Sequence, residues 1–341
     1  MIEPGDCLPT IALQRADGTP LLLNDQRIAG APLVVALGGA GGLKAQAAFA
    51  EAGLGFKAIE AAEPDAEAGA HVLYDAKGAY GPAVGIHGAA YLVVAADQRL
   101  IAVLDGGLKP AKAAAEAQAL IAAQTVSARP IEGMHAPVLT LRGLFEPELC
   151  EKLVKYWGRQ DKKPGGVASS SANDNEVVRT DYKRRADVIL EDKKLFETVK
   201  ARIARRAAPM MFRAFQFQLA SMEALRLGCY DAEDEGFFGR HRDNGTPHTA
   251  WRKFAMSVNL NDPASYEGGG VVFPEFGGDV YRPAAGDAVI FSCTLLHEAL
   301  AVTQGQRFGL FTFFTDAQGL AAQKAAQQRS RAAGKSGVVV S

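Results

Sequence analysis

Between Glu223 and Phe314 the chain breaks into seven short runs of strand-forming residues. They are Ala224–Tyr230, Phe237–Arg242, Phe254–Leu260, Val271–Phe273, Ala288–Phe291, Ala299–Val302 and Phe308–Phe314, separated by Gly, Pro, Asp and Asn. Strands this short at this spacing cannot build a parallel sheet with helical crossovers; they predict a β-sandwich or jelly roll. Two helical segments precede them. Leu149, Leu153, Val154 and Trp157 fall on one apolar face, with Glu146-Pro147-Glu148 suited to the first turn. Lys193 to about Ala208 carries Leu195, Phe196, Val199 and Ile203 on its apolar side. The predicted class of this half is therefore α+β, a jelly roll backed by helices.

The first 125 residues follow a different rhythm. Pro32–Leu37 reads as a buried strand, about Leu43–Ala52 as a helix, and His71–Tyr74 as a strand. Tyr91–Ala95 and Arg99–Leu104 flank an Asp97-Gln98 turn, and a helix over about Lys109–Ala123 closes the unit. Strands alternating with helices predict an α/β sandwich. Thr125 to Ala136 reads as a linker, so the expected domains are residues 1–125 and 137–318. The last residues, 321–341, lack aromatics and are expected to be a disordered tail.

Composition excludes several classes. A net charge of −1, with 22% charged residues, gives no polyelectrolyte character. Residues 1–125 carry 8 Lys/Arg against 13 Asp/Glu, and four basic residues with no acidic one follow Leu320. The positive excess is thus partly tail, which argues against a nucleic-acid-binding face. Cys7, Cys150, Cys229 and Cys293 are scattered without a CxxC pair, fitting neither a disulfide framework nor a thiolate zinc site. The opening MIEPGDCLPT has no basic segment followed by an apolar run, and no apolar stretch approaches a membrane span. A cytoplasmic protein without membrane contact is expected.

The chemistry concentrates in His241-Arg242-Asp243. His241 and Asp243 are two residues apart on a predicted strand and so share a face, with Arg242 turned away. His297 lies 54 residues past Asp243, after the apolar run Asp287–Ser292, and Arg307 lies ten further on. Two imidazoles and one carboxylate on one side of a metal leave its other positions open, a set suited to Fe(II). Zinc usually prefers four protein ligands rich in cysteine or histidine. Arg307 supplies a bidentate fork for a carboxylate.

These residues sit in a longer pattern. His241-Arg242-Asp243-Asn244, Phe254–Leu260, Tyr266-Glu267-Gly268-Gly269-Gly270-Val271-Val272-Phe273-Pro274, Pro283-Ala284-Ala285-Gly286-Asp287 and Leu296-His297 through Arg307-Phe308 follow in order. Over roughly 137–316 the chain resembles the 2-oxoglutarate/Fe(II) dioxygenases of the prolyl 4-hydroxylase-like branch. The resemblance implies a double-stranded β-helix in which His241, Asp243 and His297 ligate iron and Arg307 pairs with the 5-carboxylate of 2-oxoglutarate. It further implies that Tyr230 assists 2-oxoglutarate binding and that Thr303 lines the same pocket. Fe(II), 2-oxoglutarate and O₂ would serve the reaction, with ascorbate as a candidate reductant. The implied reaction is C–H hydroxylation, with a prolyl residue of a peptide or protein favoured. Two alternatives stay open: the same chemistry on a free amino acid or other small molecule, and a non-catalytic metal- or 2-oxoglutarate-binding interaction protein.

In the first half, Gly5-Asp6…Pro9–Leu13…Asp17-Gly18 and Tyr74–Gly78…Tyr80–Ile86 resemble a peroxiredoxin-like, thioredoxin-fold domain. That family places a threonine and a peroxidatic cysteine at the start of a helix, where this chain reads Gly38-Gly39-Ala40-Gly41-Gly42-Leu43. Peroxidase chemistry needs a low-pKa thiolate there. The expectation is a degenerate domain kept for packing, partner binding or a dimer contact.

The remaining polar features read blandly. His71, His87 and His135 read as packed or surface residues, and His248, in a polar loop near the site, as solvent-exposed, with substrate contact the alternative. Lys183-Arg184-Arg185 with Arg202, Arg205 and Arg206 are taken as solvated faces offset by Asp181, Asp187, Glu191 and Asp192. Trp251 and Arg252 fit the substrate mouth and simple packing equally. Residues 159–188, polar and rich in Ser, Gly and Asn at the start, are expected to be a substrate-capturing lid or disordered.

Overall fold

The computed structural model describes residues 1–124, 133–168 and 176–332 and divides the chain into two compact units, Met1–Pro130 and Ile131–Ser341. The division falls inside the expected linker, most of which lies outside the described residues.

The first unit is a seven-stranded sheet. Its centre runs Val72–Tyr74, Gly55–Glu60 and Leu33–Leu37 in parallel, and Ala90–Val94 and Leu100–Asp105 continue it antiparallel. Alternation along Leu33–Leu37 explains the layers. Val34 and Ala36 pack with Phe49 of the helix Leu43–Glu51 and with Ala113 and Ala117 of the helix Pro110–Gln124. Leu33, Val35 and Leu37 pack on the other side with Leu13, Leu73, Tyr80 and Val84. A sheet covered on both faces needs apolar residues at every position, as Leu33–Leu37 and Ala90–Val94 have at its centre. The strand Gly55–Glu60 was not expected, because Lys57 and Glu60 interrupt its apolar run.

The second unit has two sheets facing one another in a jelly-roll-like arrangement. The larger sheet runs Leu139–Leu141, Ala288–Ser292, Phe254–Asn259, Val302–Thr315, Arg226–Asp231, Ala186–Ile189 and Lys163–Pro164. The smaller runs Lys183–Arg184, Phe237–His241, His297–Ala299, Val271–Val272 and Val280–Tyr281. Period-two alternation sorts the larger sheet's side chains. Met256, Val258, Ile290, Leu310 and Leu227 face the helices Pro147–Arg159, Lys193–Arg202 and Ala208–Phe215. Ala255, Val289 and Phe291 face Val271 and Phe273 of the smaller sheet's side.

The predicted second helix runs further than expected. It passes through a π-helical turn, Ile203–Ala207, into Ala208–Phe215. Pro209 accounts for the widened turn, since it offers no N–H to the preceding turn and its ring crowds the carbonyl there. Arg206 in that turn is 1% exposed rather than solvated, donating to the carbonyls of Gly143 and Leu144 and to Glu146.

Three further expectations need correcting. Residues 321–332 are not disordered: they belong to the helix Ala317–Ala332, whose alanine and glutamine content favours helix despite the missing aromatics. Residues 333–341 lie outside the described residues. The 159–188 segment is no simple loop, for it contributes the pair Val167–Ala168/Glu176–Val177 and strands to both sheets, while 169–175 lie outside the described residues. The expected strand Ala299–Val302 is broken at Leu300–Ala301, ending one strand and starting the long Val302–Thr315.

Candidate metal centre

His241 and His297 are direct cross-strand partners in the smaller sheet, which brings their rings to 4.2 Å between centroids. Asp243 lies just past the strand end, held by its N–H donating to the Cys293 carbonyl at 3.0 Å. Its two oxygens divide between the rings, Oδ1 at 3.4 Å from His241 Nε2 and Oδ2 at 3.5 Å from His297 Nε2. One ligand atom from each residue lies within 4.8 Å of the others, so the three could hold one metal ion.

The imidazoles are oriented from behind. His241 Nδ1 lies 2.7 Å from the Gly239 carbonyl and His297 Nδ1 lies 3.0 Å from that of Leu295. A carbonyl at Nδ1 calls for the proton there, leaving each Nε2 lone pair free for a metal. Phe238 stacks on His241 at 3.6 Å and Phe291 meets His297 edge-on at 4.6 Å. Burial, opposed by the Asp243 charge, holds His297 below the ordinary histidine range. Burial pushes the Asp243 carboxyl up, but the neighbouring His297 and His241 rings outweigh it and bring it to about 2.

Across the barrel, Arg307 is 2% exposed on the larger sheet's inner face. Its register partner is Tyr230, also 2% exposed, and its guanidinium lies 5.5 Å from that ring. Nη2 reaches Ser257 Oγ only at 3.5 Å, and Nη1 is buried with no hydrogen-bond partner among the described residues. Burial draws the Arg307 pKa down, though not enough to neutralise a guanidinium. A buried, permanently charged group with one nitrogen left unsatisfied is costly and fits a site built for an anion.

Thr303 does not join this group. The register against Tyr266–Gly268 slips at that point, Glu267 facing Gln304 and Gly268 facing Val302. Thr303 is the bulged residue and is exposed, while Val302 packs beside Tyr230 and Tyr266.

Several residues beside the centre are buried where the sequence predicts solvated charges. Lys183 is 5% and Asp187 4% exposed, and the Arg185 side chain is 6% exposed. The segment crosses from the smaller sheet at Lys183–Arg184 to the larger at Ala186–Ile189, turning alternate residues 183, 185 and 187 inward. Lys183 Nζ donates to the Gly166 carbonyl at 2.7 Å and lies 4.9 Å from the Phe238 ring. Arg252 is clamped by Glu223 at 2.7 and 2.6 Å and donates to the Asp243 carbonyl at 3.3 Å. Lys183, Arg185 and Asp187 stand two residues apart, the period of a strand, and that spacing is the signal that they share a face.

Residues 225–315 match the family model of the 2OG-Fe(II) oxygenase superfamily. The chain is 37% identical over 92 residues to a PKHD-type hydroxylase of Pseudomonas putida, covering 25% of this chain and 40% of that relative. It is 26% identical over 180 residues to a PKHD-type hydroxylase of Shewanella frigidimarina, covering 50% of this chain and 71% of that relative. It therefore spans only about two fifths of the length of the first of these curated relatives. A crystal structure of a Pseudomonas putida prolyl-4-hydroxylase overlaps 53% of this chain and 94% of its own, with 17% identity and a TM-score of 0.43. The second unit thus carries, over residues 225–315, a 2OG-Fe(II) oxygenase domain.

Proposed function

We propose that this protein is an Fe(II)- and 2-oxoglutarate-dependent dioxygenase that hydroxylates a prolyl residue of a peptide or protein. The observation that carries the reading is one geometry: a two-histidine, one-carboxylate cluster on one sheet and, on the sheet facing it, a buried arginine whose Nη1 has no hydrogen-bond partner among the described residues. His241, Asp243 and His297 would hold Fe(II), and Arg307 would take the distal carboxylate of 2-oxoglutarate, with Tyr230 beside it. Fe(II) with 2-oxoglutarate supplies O₂ activation and oxidative hydroxylation of a C–H bond. The chain's own part is to fix the ligands. The carbonyls of Gly239 and Leu295 set the imidazole tautomers, and the Cys293 carbonyl with Arg252 anchors the Asp243 backbone. Phe238, Phe273 and Phe291 line the histidines with apolar surface that excludes water.

The prolyl assignment rests on the sequence likeness to the prolyl 4-hydroxylase-like branch. A free amino acid or other small molecule is the alternative substrate, with ascorbate a candidate reductant in either case. The first unit we read as a thioredoxin-like domain without peroxidase activity. Its mixed sheet, covered by the helices Leu43–Glu51 and Pro110–Gln124 on one face and by the short helix Tyr80–Val84 on the other, supports the fold, and the Gly38–Gly42 entry to the helix at Leu43 supplies no thiol.

Anaerobic titration of the protein with Fe(II) and then 2-oxoglutarate should give a visible metal-to-ligand charge-transfer band, and admitting air should release succinate. His297→Ala should abolish both. Succinate release undiminished in His297→Ala would sink the reading.

A further inference from the structure

The Tyr230 hydroxyl has a neighbour that the cosubstrate reading does not use. Arg185 Nη1 lies 3.3 Å from that hydroxyl oxygen. The same guanidinium forks onto Asp187, Nε to Oδ1 at 2.5 Å and Nη2 to Oδ2 at 2.9 Å, and lies 4.2 Å from the Phe311 ring. Space for it is built in. Gly228 faces Asp187 across the sheet, and a Cβ there would fall 2.7 Å from Arg185 Cδ and Nε. Arg185 is therefore held on three sides by an anion, an aromatic face and a side-chain-free strand position.

The donor can only donate, so the hydroxyl must accept from it. With its oxygen engaged by a guanidinium, Tyr230 keeps its own proton for another acceptor. The register partner, Arg307, has a buried Nη1 without a hydrogen-bond partner among the described residues. A carboxylate received there would meet both the Arg307 fork and the Tyr230 O–H. Asp187 takes Nε and Nη2 of Arg185, and Lys183 Nζ at 3.7 Å and Arg226 Nη1 at 3.8 Å flank the same carboxylate, so three cations share one anion. Asp187 thus fixes the Arg185 fork and leaves Nη1 turned to the Tyr230 hydroxyl.

We propose that Arg185 is a positioning residue of the cosubstrate pocket, orienting the Tyr230 hydroxyl as a donor to the carboxylate bound by Arg307. The proposal rests on the dioxygenase reading and gives Tyr230 its role through a residue outside the matched segment.

The test is the anaerobic equilibrium affinity of the Fe(II)-loaded protein for 2-oxoglutarate, read from the charge-transfer band, with Fe(II) affinity measured separately. Arg185→Met should weaken 2-oxoglutarate binding about tenfold, the scale of one charge-assisted hydrogen bond, and leave Fe(II) affinity unchanged. Tyr230→Phe should do the same, and the double variant should be no worse than the weaker single one. Arg185→Lys keeps a charge opposite Asp187 but not the fork, so it should be as weak as Arg185→Met. Full rescue by lysine would mean that Arg185 only balances charge, and additive losses would mean that it acts apart from Tyr230; either overturns the proposal. If the wild-type protein shows no band, the dioxygenase reading falls and this inference with it. A wild-type band left unchanged by Arg185→Met removes the inference alone.

Discussion

Asp187 shows most sharply what residue identity conceals. In the sequence it sits among Lys183, Arg184 and Arg185 and looks like one half of a solvated charge pattern. In the fold it is 4% exposed and serves Arg185, Lys183 and Arg226 together. Charged residues that satisfy one another inside a protein have the same composition as those satisfied by water, so burial leaves no mark on the sequence. His241, Asp243 and His297 were legible for the opposite reason, since a metal site fixes spacing and order as well as residue type. Burial raises the Asp187 pKa, but the Arg185 charge and fork dominate and hold the carboxyl below its ordinary value of 3.8. A depressed folded value means that the stabilisation is present above about pH 4 and is lost as acidification protonates the group. Asp187→Asn should therefore cost about 3 kcal/mol at pH 7, because Arg185 stays buried without its partner. The cost should shrink towards pH 3. Urea unfolding at both pH values checks this; an equal cost at both would mean that Asp187 contributes no charge-dependent stability.

Among the elements, legibility followed alternation. Phe254–Asn259 and Ala288–Ser292 were found to within a residue because one face meets helices and the other the opposite sheet. Ala186–Ile189 was missed because its inward position is taken by Asp187, and Thr303 was misplaced because a bulge shifts the face after Val302. Turns with special backbone needs were readable. The Pro283…Gly286-Asp287 turn puts Gly286 at φ +83°, its N–H donating to the Asn259 carbonyl at 2.8 Å and its carbonyl accepting from Phe145 N–H at 3.0 Å. A Cβ on Gly286 would stand 2.2 Å from the Phe145 carbonyl oxygen. Both the left-handed φ and the close approach disfavour any side chain. Gly286→Ala should thus destabilise the second unit by about 3 kcal/mol. Thermal unfolding would show it, and a loss below about 0.5 kcal/mol would mean that the turn relaxes freely.

At the scale of the whole molecule, the change from helix-strand alternation to short strands marks a change of core. Phe49 packs on Phe56 at 5.0 Å and on Tyr91 at 5.4 Å within a cluster drawn wholly from residues 34–121. Leu310 belongs to a cluster drawn wholly from residues 139–314. Units with separate cores should unfold separately, since cooperativity extends only as far as shared packing. Calorimetry of the full chain should accordingly resolve two transitions. Phe49→Ala, which empties a site where truncation costs about 3–5 kcal/mol, should lower one of them and leave 2-oxoglutarate binding at 25 °C intact. Leu310→Ala should lower the other by a comparable amount, and its loss of binding on heating should track that transition. Were either substitution to shift both transitions together, the two cores would be one cooperative system, and the first unit would be part of what holds the metal centre in shape.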